Sequence, residues 1–326
     1  VVAMPGVRTG TIVVRALAAQ REVVLRGFEG SLVLEDNQGP IWVEDGTFLT
    51  IPERASRITR CAQVGLFACS FSGSDSLGGF CGADGGSVLT VSDSNLFAYG
   101  CQLTGMAGCP ATLDDSGCLF FGCDTTAATA GASALTLVTS SAYLFGGTLQ
   151  GGAGGAGLTY SGSCASCPAT MPAAPDGSGI ARDPGSQLTL LDVDVSSLDG
   201  TGPTTFLSGE PGTFRVSTPL AAGDPVTVSV TGPAGHEVFV LLGSSYEPAF
   251  QADASGVIVV PVASATLFLG SLPGSGSMTV ELPLDLLAGR EQAEALFLQA
   301  LLRDPVGGTN TLGAPSALVQ HRDPCR

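Results

Sequence analysis

The sequence predicts an all-β protein, with a right-handed parallel β-helix followed by an antiparallel β-sandwich. Short segments rich in Val, Leu and Thr recur every twenty-odd residues before residue 200. This period is typical of solenoids, in which the strands of each coil stack on those of the coil before. Longer words of alternating polarity follow residue 213 and are typical of sandwich strands. We therefore expect a β-helix over residues 1–200, a linker over 201–213 and a sandwich domain over 214–326.

Composition agrees with many short strands joined by tight turns. The chain has 46 Gly and 20 Pro, yet 44% of its residues are hydrophobic. All 13 basic residues are Arg, and the net charge is −16. Because nucleic-acid binding requires clustered basic residues that neutralise phosphates, this charge argues against a nucleic-acid partner. Without Lys, Schiff-base and P-loop chemistry is excluded.

Residues 1–60 contain the strands of the first coils. Apolar and polar residues alternate, as in strands with one buried face, in TIVVR (11–15), EVVLRGFE (22–29), SLVLED (31–36), IWVEDGTFLTI (41–51) and RITRC (57–61). The corners between these words are expected at Gly27, Gly30, Gly39 and Gly46.

Two columns of similar words define the repeat that follows. One is a Leu-Thr or Ala-Thr pair, found at Leu89-Thr90, Ala111-Thr112, Leu135-Thr136, Leu158-Thr159 and Leu188-Thr189. The other contains LFACSFSG (66–73), AYGCQLTG (98–105), FFGCDTT (120–126) and LFGGTLQG (144–151). A step of about 22 to 24 residues allows three short strands and three turns per coil, with Leu inside, Thr outside and the right-handed sense of parallel crossovers. Longer steps predict inserted loops at 72–87 and 161–179.

The segment after residue 213 reads as sandwich strands at 214–218, 225–232, 237–243, 256–261, 266–270 and 277–283. Residues 290–304 are rich in helix-forming Ala, Leu, Glu and Gln. Alternation within ALFLQALL (295–302) nevertheless favours a strand there.

The first 200 residues resemble the right-handed β-helices of secreted bacterial proteins, the pectate-lyase-like superfamily in the broad sense. The words VVAMPG (1–6), GTIVV (10–14) and EVVLRGFE (22–29) are similar to the opening coil of such proteins, without the amphipathic helix that usually caps it. The C-terminal part, from LAAGDPVTVSVTG (220–232) through ELPLDLLAGREQAEALFLQALLRD (281–304), resembles β-sandwich modules that end large bacterial surface proteins. The resemblance implies a fold and an extracellular location, and no particular activity.

Ten cysteines, an even number, favour an oxidising compartment and predict structural disulfides. The candidates are Cys61, Cys69, Cys81, Cys101, Cys109, Cys118, Cys123, Cys164, Cys167 and Cys325. Cys69, Cys101 and Cys123 share one column of the repeat, and both disulfides between coils and a ladder of buried thiols fit that placement.

The remaining cysteines are expected to staple loops. Cys109 would pair with Cys118, and Cys81 with Cys61 or Cys69. Cys164 and Cys167 form a lone CxxC motif without a nearby His, which favours a local disulfide over a zinc site. Cys325 would tie down the tail or pair with another subunit.

Carboxylates cluster twice in the predicted β-helix. Asp114, Asp115 and Asp124 lie in adjacent words and would be the acid and base of a polysaccharide hydrolase or lyase. Asp192 and Asp194 alternate on one strand, share a face and are weak Ca²⁺ candidates.

We prefer the interpretation that these acids form a solvated acidic face without a catalytic or metal-binding role. Arg182 is the only basic residue between Arg60 and Arg215, so a groove for an acidic polysaccharide would have few cations to bind it. We predict no catalytic residue, no other metal site and no cofactor.

Aromatic residues recur with the coils, at Phe67, Phe97, Tyr99, Phe120, Phe121, Tyr143 and Phe145. Such a row either packs in a core or is exposed and binds sugars, and the core is favoured.

These observations predict an extracellular or cell-surface structural protein, without catalytic activity, that self-associates through the N-terminal coil end into a filament. A glycan-binding adhesin and a polysaccharide lyase or hydrolase are the alternatives. The longest apolar stretch, 256–270, is interrupted by Pro261 and is shorter than the roughly 20 residues of a membrane-spanning helix, so no membrane span is predicted.

Overall fold

The computed structural model describes residues 8–50, 55–73, 86–114, 123–161, 167–218, 220–221, 224–260, 265–282 and 293–321. These residues form an all-β protein in which a large parallel sheet precedes separate antiparallel sheets, and the predicted fold class is confirmed. Their only helix is one 3₁₀ turn, Ala252–Ala254. Within the described ranges no helix has the length and apolar character needed to cross a membrane.

The N-terminal part of the chain is a parallel β-helix. In chain order its strands and those of its insertions are β1 (Arg8–Arg15), β2 (Val23–Arg26), β3 (Glu29–Glu35), β4 (Ile41–Glu44), β5 (Thr47–Thr50), β6 (Ser56–Thr59), β7 (Val64–Phe67), β8 (Ser70–Gly73), β9 (Ser87–Ser92), β10 (Asn95–Thr104), β11 (Thr112–Asp114), β12 (Asp124–Thr126), β13 (Ser133–Val138), β14 (Ser141–Gln150), β15 (Leu158–Thr159), β16 (Thr170–Met171), β17 (Ile180–Arg182), β18 (Gln187–Leu191), β19 (Asp194–Val195), β20 (Leu198–Asp199) and β21 (Thr204–Leu207). All except β11, β12, β15 and β16 join one system of 17 strands. Its last strand lies within residues 201–213, where the sequence had suggested a linker.

Each coil of this tube contributes strands to three stacks. The first stack contains β2, β4, β7, β18, β21 and the N-terminal halves of β10 and β14. The second contains β5, β8, β19, the first residues of β3 and the C-terminal halves of β10 and β14. The third contains β1, β6, β9, β13, β17, β20 and the rest of β3.

The coils differ in length along the tube. Ser31 Oγ donates a hydrogen bond to Thr11 Oγ1, 20 residues away in the preceding coil. By contrast, Ser94 N–H donates to Ser140 Oγ, 46 residues further on. The last coil is short again, since Leu188 pairs with Thr204, so a repeat of 22 to 24 residues describes only some of the coils.

Only two members of the predicted Leu-Thr column stack in register, and they are not the neighbours that the sequence suggested. Leu89 pairs with Leu135, passing over Ala111, and both are fully buried inside the tube. The other members do not join them: Thr112 begins β11, Leu158 begins β15, and Leu188 belongs to the first stack.

Two successive coils carry arms between the second and third stacks. The first arm, residues 105–132, leaves β10 and returns to β13, and the second, residues 151–179, leaves β14 and returns to β17. An antiparallel pair lies within each arm, β11 with β12 and β15 with β16. A disulfide between Cys123 and Cys167 links the two arms.

Backbone hydrogen bonds join the arms with a period of three residues. The N–H groups of Gly105, Gly108 and Ala111 donate to the carbonyls of Gln150, Ala153 and Ala156. Antiparallel bonds of the same period run from Thr129 and Ala132 to Cys109 and Met106, from Gly152 and Gly155 to Ala132 and Thr129, and from Ala174 and Gly177 to Gly155 and Gly152. Three residues per turn with hydrogen bonds between segments identify a bundle of four polyproline II helices.

Glycine allows these segments to approach so closely. A Cβ on Gly152 would lie 1.9 Å from the Met106 carbonyl oxygen, and one on Gly155 would lie 1.7 Å from that of Cys109. The GGAGGAG word (151–157) is therefore an inner helix of the bundle. Residues 174–177, within the predicted loop 161–179, belong to this bundle as well.

The C-terminal part consists of antiparallel sheets, except that β23 pairs with β31 in parallel. Its strands are β22 (Thr213–Val216), β23 (Leu220–Ala221), β24 (Val226–Thr231), β25 (Glu237–Gly243), β26 (Ala249–Gln251), β27 (Gly256–Ile258), β28 (Ala265–Ser271), β29 (Ser277–Leu282), β30 (Ala293–Arg303) and β31 (Asn310–His321). β22, β24 and β29 form one sheet, and β23, β31, β30, β25 and β28 form the other. The strand predicted over 295–302 is confirmed as part of β30.

The five-stranded sheet lies between two apolar cores. Leu298 and Ala300 of β30 pack into the interior of the sandwich. Phe297, on the opposite face of the same strand, packs against the first stack of the tube. A third core, which includes Leu89 and Leu135, fills the tube itself.

Candidate functional site

The aromatic residues of the coils form a row on the outside of the first stack. Phe67, Tyr99 and Phe145 align in register there, with Trp42 beside them. All four are buried, and Tyr99 and Phe145 stack at 4.5 Å between ring centroids. The row faces away from the tube core, and the five-stranded sheet covers it. Burial confirms the core interpretation for this part of the row. Phe120 and Phe121 lie outside the described residues.

Tyr246 anchors the sandwich on this row. Its ring is 5.1 Å from that of Trp42 and 5.9 Å from that of Phe297, between centroids. The Tyr246 hydroxyl lies above Gly65, where a Cβ would approach it to 2.3 Å. Gly65 thus provides the space that the tyrosine fills.

A buried ion pair closes the same interface. Arg26 Nη1 lies 3.0 Å from Glu44 Oε1 and donates to the Ala317 carbonyl at 2.9 Å. Glu44 also accepts hydrogen bonds from Ser316 Oγ at 2.6 Å and from Trp42 Nε1 at 3.0 Å. Burial raises the pKa of Glu44, and the Arg26 charge and the hydrogen bonds from Ser316 and from the Ala317 N–H oppose that rise. The buried charges of Arg26 and Glu44 thereby help to fix the orientation of the sandwich on the tube.

The predicted cysteine column is only partly made of buried thiols. Cys61, Cys69 and Cys101 are free, buried thiols, so the candidate disulfides at these positions are not formed, and Cys69 and Cys101 fit the alternative of a ladder of buried thiols. Cys101 aligns with Gly147 in the next coil, and Cys123 lies in an arm, because the coils are longer than the repeat suggested. Burial raises the pKa of the Cys69 thiol well above its usual value, which makes it a poor nucleophile.

The remaining cysteines are only partly described. Cys123 pairs with Cys167, a pairing that the sequence did not suggest, and their Cα atoms are 5.4 Å apart. Cys109 is disulfide-bonded too. Cys81, Cys118, Cys164 and Cys325 lie outside the described residues.

Two of the candidate acids, Asp114 and Asp124, lie in the first arm and not in the coils. They pair in register in the β11–β12 ladder, and Asp115 lies outside the described residues. Arg182 Nη1 donates to the Pro203 carbonyl at 2.8 Å.

Asp192 and Asp194 lie at the end of the tube farthest along the chain. Both side chains are exposed, and together with Leu190 and Phe206 they line a cavity of about 500 Å³. Asp192 occupies a corner with a φ of 52°. Among the described residues, no group of three or more His, Cys, Asp or Glu side chains is arranged to hold a metal ion.

The apolar character of the tube end formed by β20 and β21 was not predicted from the sequence. Phe206 pairs with Leu190 and is 69% exposed, and Leu198 pairs with Ile180 and is 37% exposed. Both continue inward-facing columns of the tube core, with no further coil above them in the described residues. A signal was present, since Thr205, Phe206 and Leu207 repeat the pattern of 189–191.

Comparison with known proteins gives no family assignment: no protein-family model and no curated protein sequence matches this chain.

Proposed function

We propose that this protein is an extracellular structural subunit: a stiff β-helical rod with a fixed lateral sandwich, which self-associates through the ends of its tube and performs no catalysis. The observation that carries the proposal is the apolar end formed by β20 and β21, where Leu198 and Phe206 are exposed. Exposed strand edges and apolar ends are templates for another chain.

The other features fit this function. The buried Arg26–Glu44 pair and the covered aromatic row hold the sandwich in one orientation, as a building block requires. The disulfide between Cys123 and Cys167 supports an oxidising, extracellular location. The resemblance of the tube to secreted bacterial β-helices, and of the C-terminal part to surface-protein modules, supports the same location.

Sedimentation velocity over a range of protein concentrations, followed by negative-stain electron microscopy, tests the proposal. We expect concentration-dependent oligomers that appear as rods longer than one subunit. A strictly monomeric particle at every concentration would overturn the proposal. Release of shortened or unsaturated sugars from acidic polysaccharides would instead support the enzymatic alternative.

A further inference from the structure

The hydrogen bonds of β21 leave one edge of the strand open. Leu188 N–H donates to the Pro203 carbonyl, which sets the phase of the pairing between β18 and β21. In a parallel pair, alternate residues bond to the same neighbour, so the N–H and C=O groups of Thr204 and Phe206 point away from β18. Within the described residues these groups have no strand partner.

The opposite end of the tube has an open edge on β1, the first strand of the third stack, and β20 is the last strand of that stack. Ala16 N–H donates to the Glu35 carbonyl, so the backbone groups of Thr11, Val13 and Arg15 point away from β3. Val13 is 48% exposed, and β3 is the only strand paired with β1 in the described part of the chain.

The two ends carry opposite charge. Residues 8–21 contain three Arg and no acid, with Glu35 paired to Arg15, whereas residues 183–210 contain five acids, with Arg182 as the cation next to them. Opposite ends would therefore attract each other over distances of about a Debye length, roughly 8 to 10 Å, while two acidic ends would repel.

We propose that the β20–β21 end of one copy binds the β1 end of a second copy, head to tail. This inference rests on the proposed function and names the surfaces that carry it. The second copy would cover Phe206 and Leu198 and extend the three stacks of strands. Because the two surfaces differ, the contact does not close on itself and generates an open filament.

Two single-site variants test the contact, each with a control of the same residue type. Phe206→Asp places a charge at the apolar end of the tube, and Phe268→Asp is its control on the sandwich, where the ring is 59% exposed. Val13→Asp places a negative charge on β1, and Val306→Asp is its control at a position that is 95% exposed. Circular dichroism and thermal unfolding verify that all four variants fold.

We expect Phe206→Asp and Val13→Asp each to weaken self-association at least tenfold, and the two controls to associate like the parent chain. A mixture of the two variants should form dimers and no longer species, because one intact head meets one intact tail. Raising the salt concentration should weaken association of the parent chain.

Three outcomes would overturn the inference. If Phe206→Asp polymerises like Phe268→Asp, or if the mixture stays monomeric, the head-to-tail contact is wrong while the proposed structural function survives. If Phe206→Asp abolishes association and Val13→Asp does not, two acidic ends meet around a two-fold axis instead. If the parent chain is monomeric, the proposed function fails with the inference.

Discussion

Ser316 donates a hydrogen bond to Glu44 across 272 residues of chain, with 2.6 Å between Ser316 Oγ and Glu44 Oε1. Glu44 belongs to the tube and Ser316 to the five-stranded sheet, and the Ala317 N–H donates to the same carboxylate at 2.9 Å. Burying a carboxylate costs several kcal/mol unless its charge and lone pairs are satisfied. The tube and the sandwich both provide hydrogen-bond or charge partners for the Glu44 carboxylate, so the stability of each depends on contact with the other.

Arg26→Met should destabilise the protein by about 3 to 5 kcal/mol, because it leaves the Glu44 charge buried without its cation. Arg60→Met is the matched control, since Arg60 pairs with Asp36 and both side chains are more than half exposed. Exposed pairs of this kind contribute little to stability, so a much smaller loss is expected for this control. Urea unfolding of both variants at neutral pH measures the difference, and equal losses would show that the Arg26 pair has no special role.

The deficit of Arg26→Met should also depend on pH. The pKa of Glu44 is already raised by burial, so its ionisation lowers stability as pH rises from its unfolded value through its folded value. Removal of Arg26 raises that pKa further. Unfolding curves from acid to neutral pH should therefore show the deficit largest at neutral pH and smaller as Glu44 becomes protonated. A deficit that stays constant would contradict this account.

Gly65→Ala should loosen the contact between tube and sandwich. A Cβ at this position would meet the Tyr246 hydroxyl at 2.3 Å and the Phe67 ring at 2.5 Å, and both rings are fully buried. Overpacking of this kind typically costs about 1 to 3 kcal/mol. Gly86→Ala, where no atom lies within 4 Å, is the control in thermal unfolding. If both variants melt together, Tyr246 has room that the packing does not show.

The local sequence pattern was enough to predict the strands. It failed to predict which strands stack on each other, because residues far apart in sequence determine that. The alternation in ALFLQALL (295–302) predicted a strand, although the composition of this segment favours a helix. The strand forms because each face of β30 packs against a core. The coil register was wrong after residue 105, since the arms interrupt the repeat and place Leu158 outside the tube. A period of three in glycine, which marks polyproline II helices, is visible in GGAGGAG (151–157), but no polyproline II helix was predicted there.

The candidate surfaces were harder to predict than the strands. Glu44 is the last residue of the apolar segment IWVE (41–44). No residue near it in sequence indicates that its partners are Arg26 and Ser316. Phe206 was placed in a linker because residues 201–213 lack a full repeat. Both depend on which segment stacks on which, and that is set by the whole fold.

Replacing both Cys123 and Cys167 with Ser should destabilise the arms. The disulfide joins residues 44 apart in sequence, and closing a loop of that length contributes about 4 kcal/mol in the chain-entropy model. The loss should appear in the arms, as faster amide hydrogen exchange across 105–111 and 150–157, while exchange of the buried strands β7 and β13 changes little. Uniformly faster exchange throughout the tube would show that the arms and coils unfold as one unit.

Gly152→Ala should disrupt the polyproline II bundle. The new Cβ would lie 1.9 Å from the Met106 carbonyl oxygen, and that oxygen accepts the Ala132 N–H, so the backbone cannot yield without breaking a hydrogen bond. Gly274→Ala is the control, because Gly274 has no atom within 4 Å of its Cβ position. We expect an unfolding free energy lower by more than about 2 kcal/mol, together with rapid exchange of the Ala132 and Gly155 amides. An alanine tolerated at Gly152, with those amides still protected, would mean that the four segments do not pack as polyproline II helices.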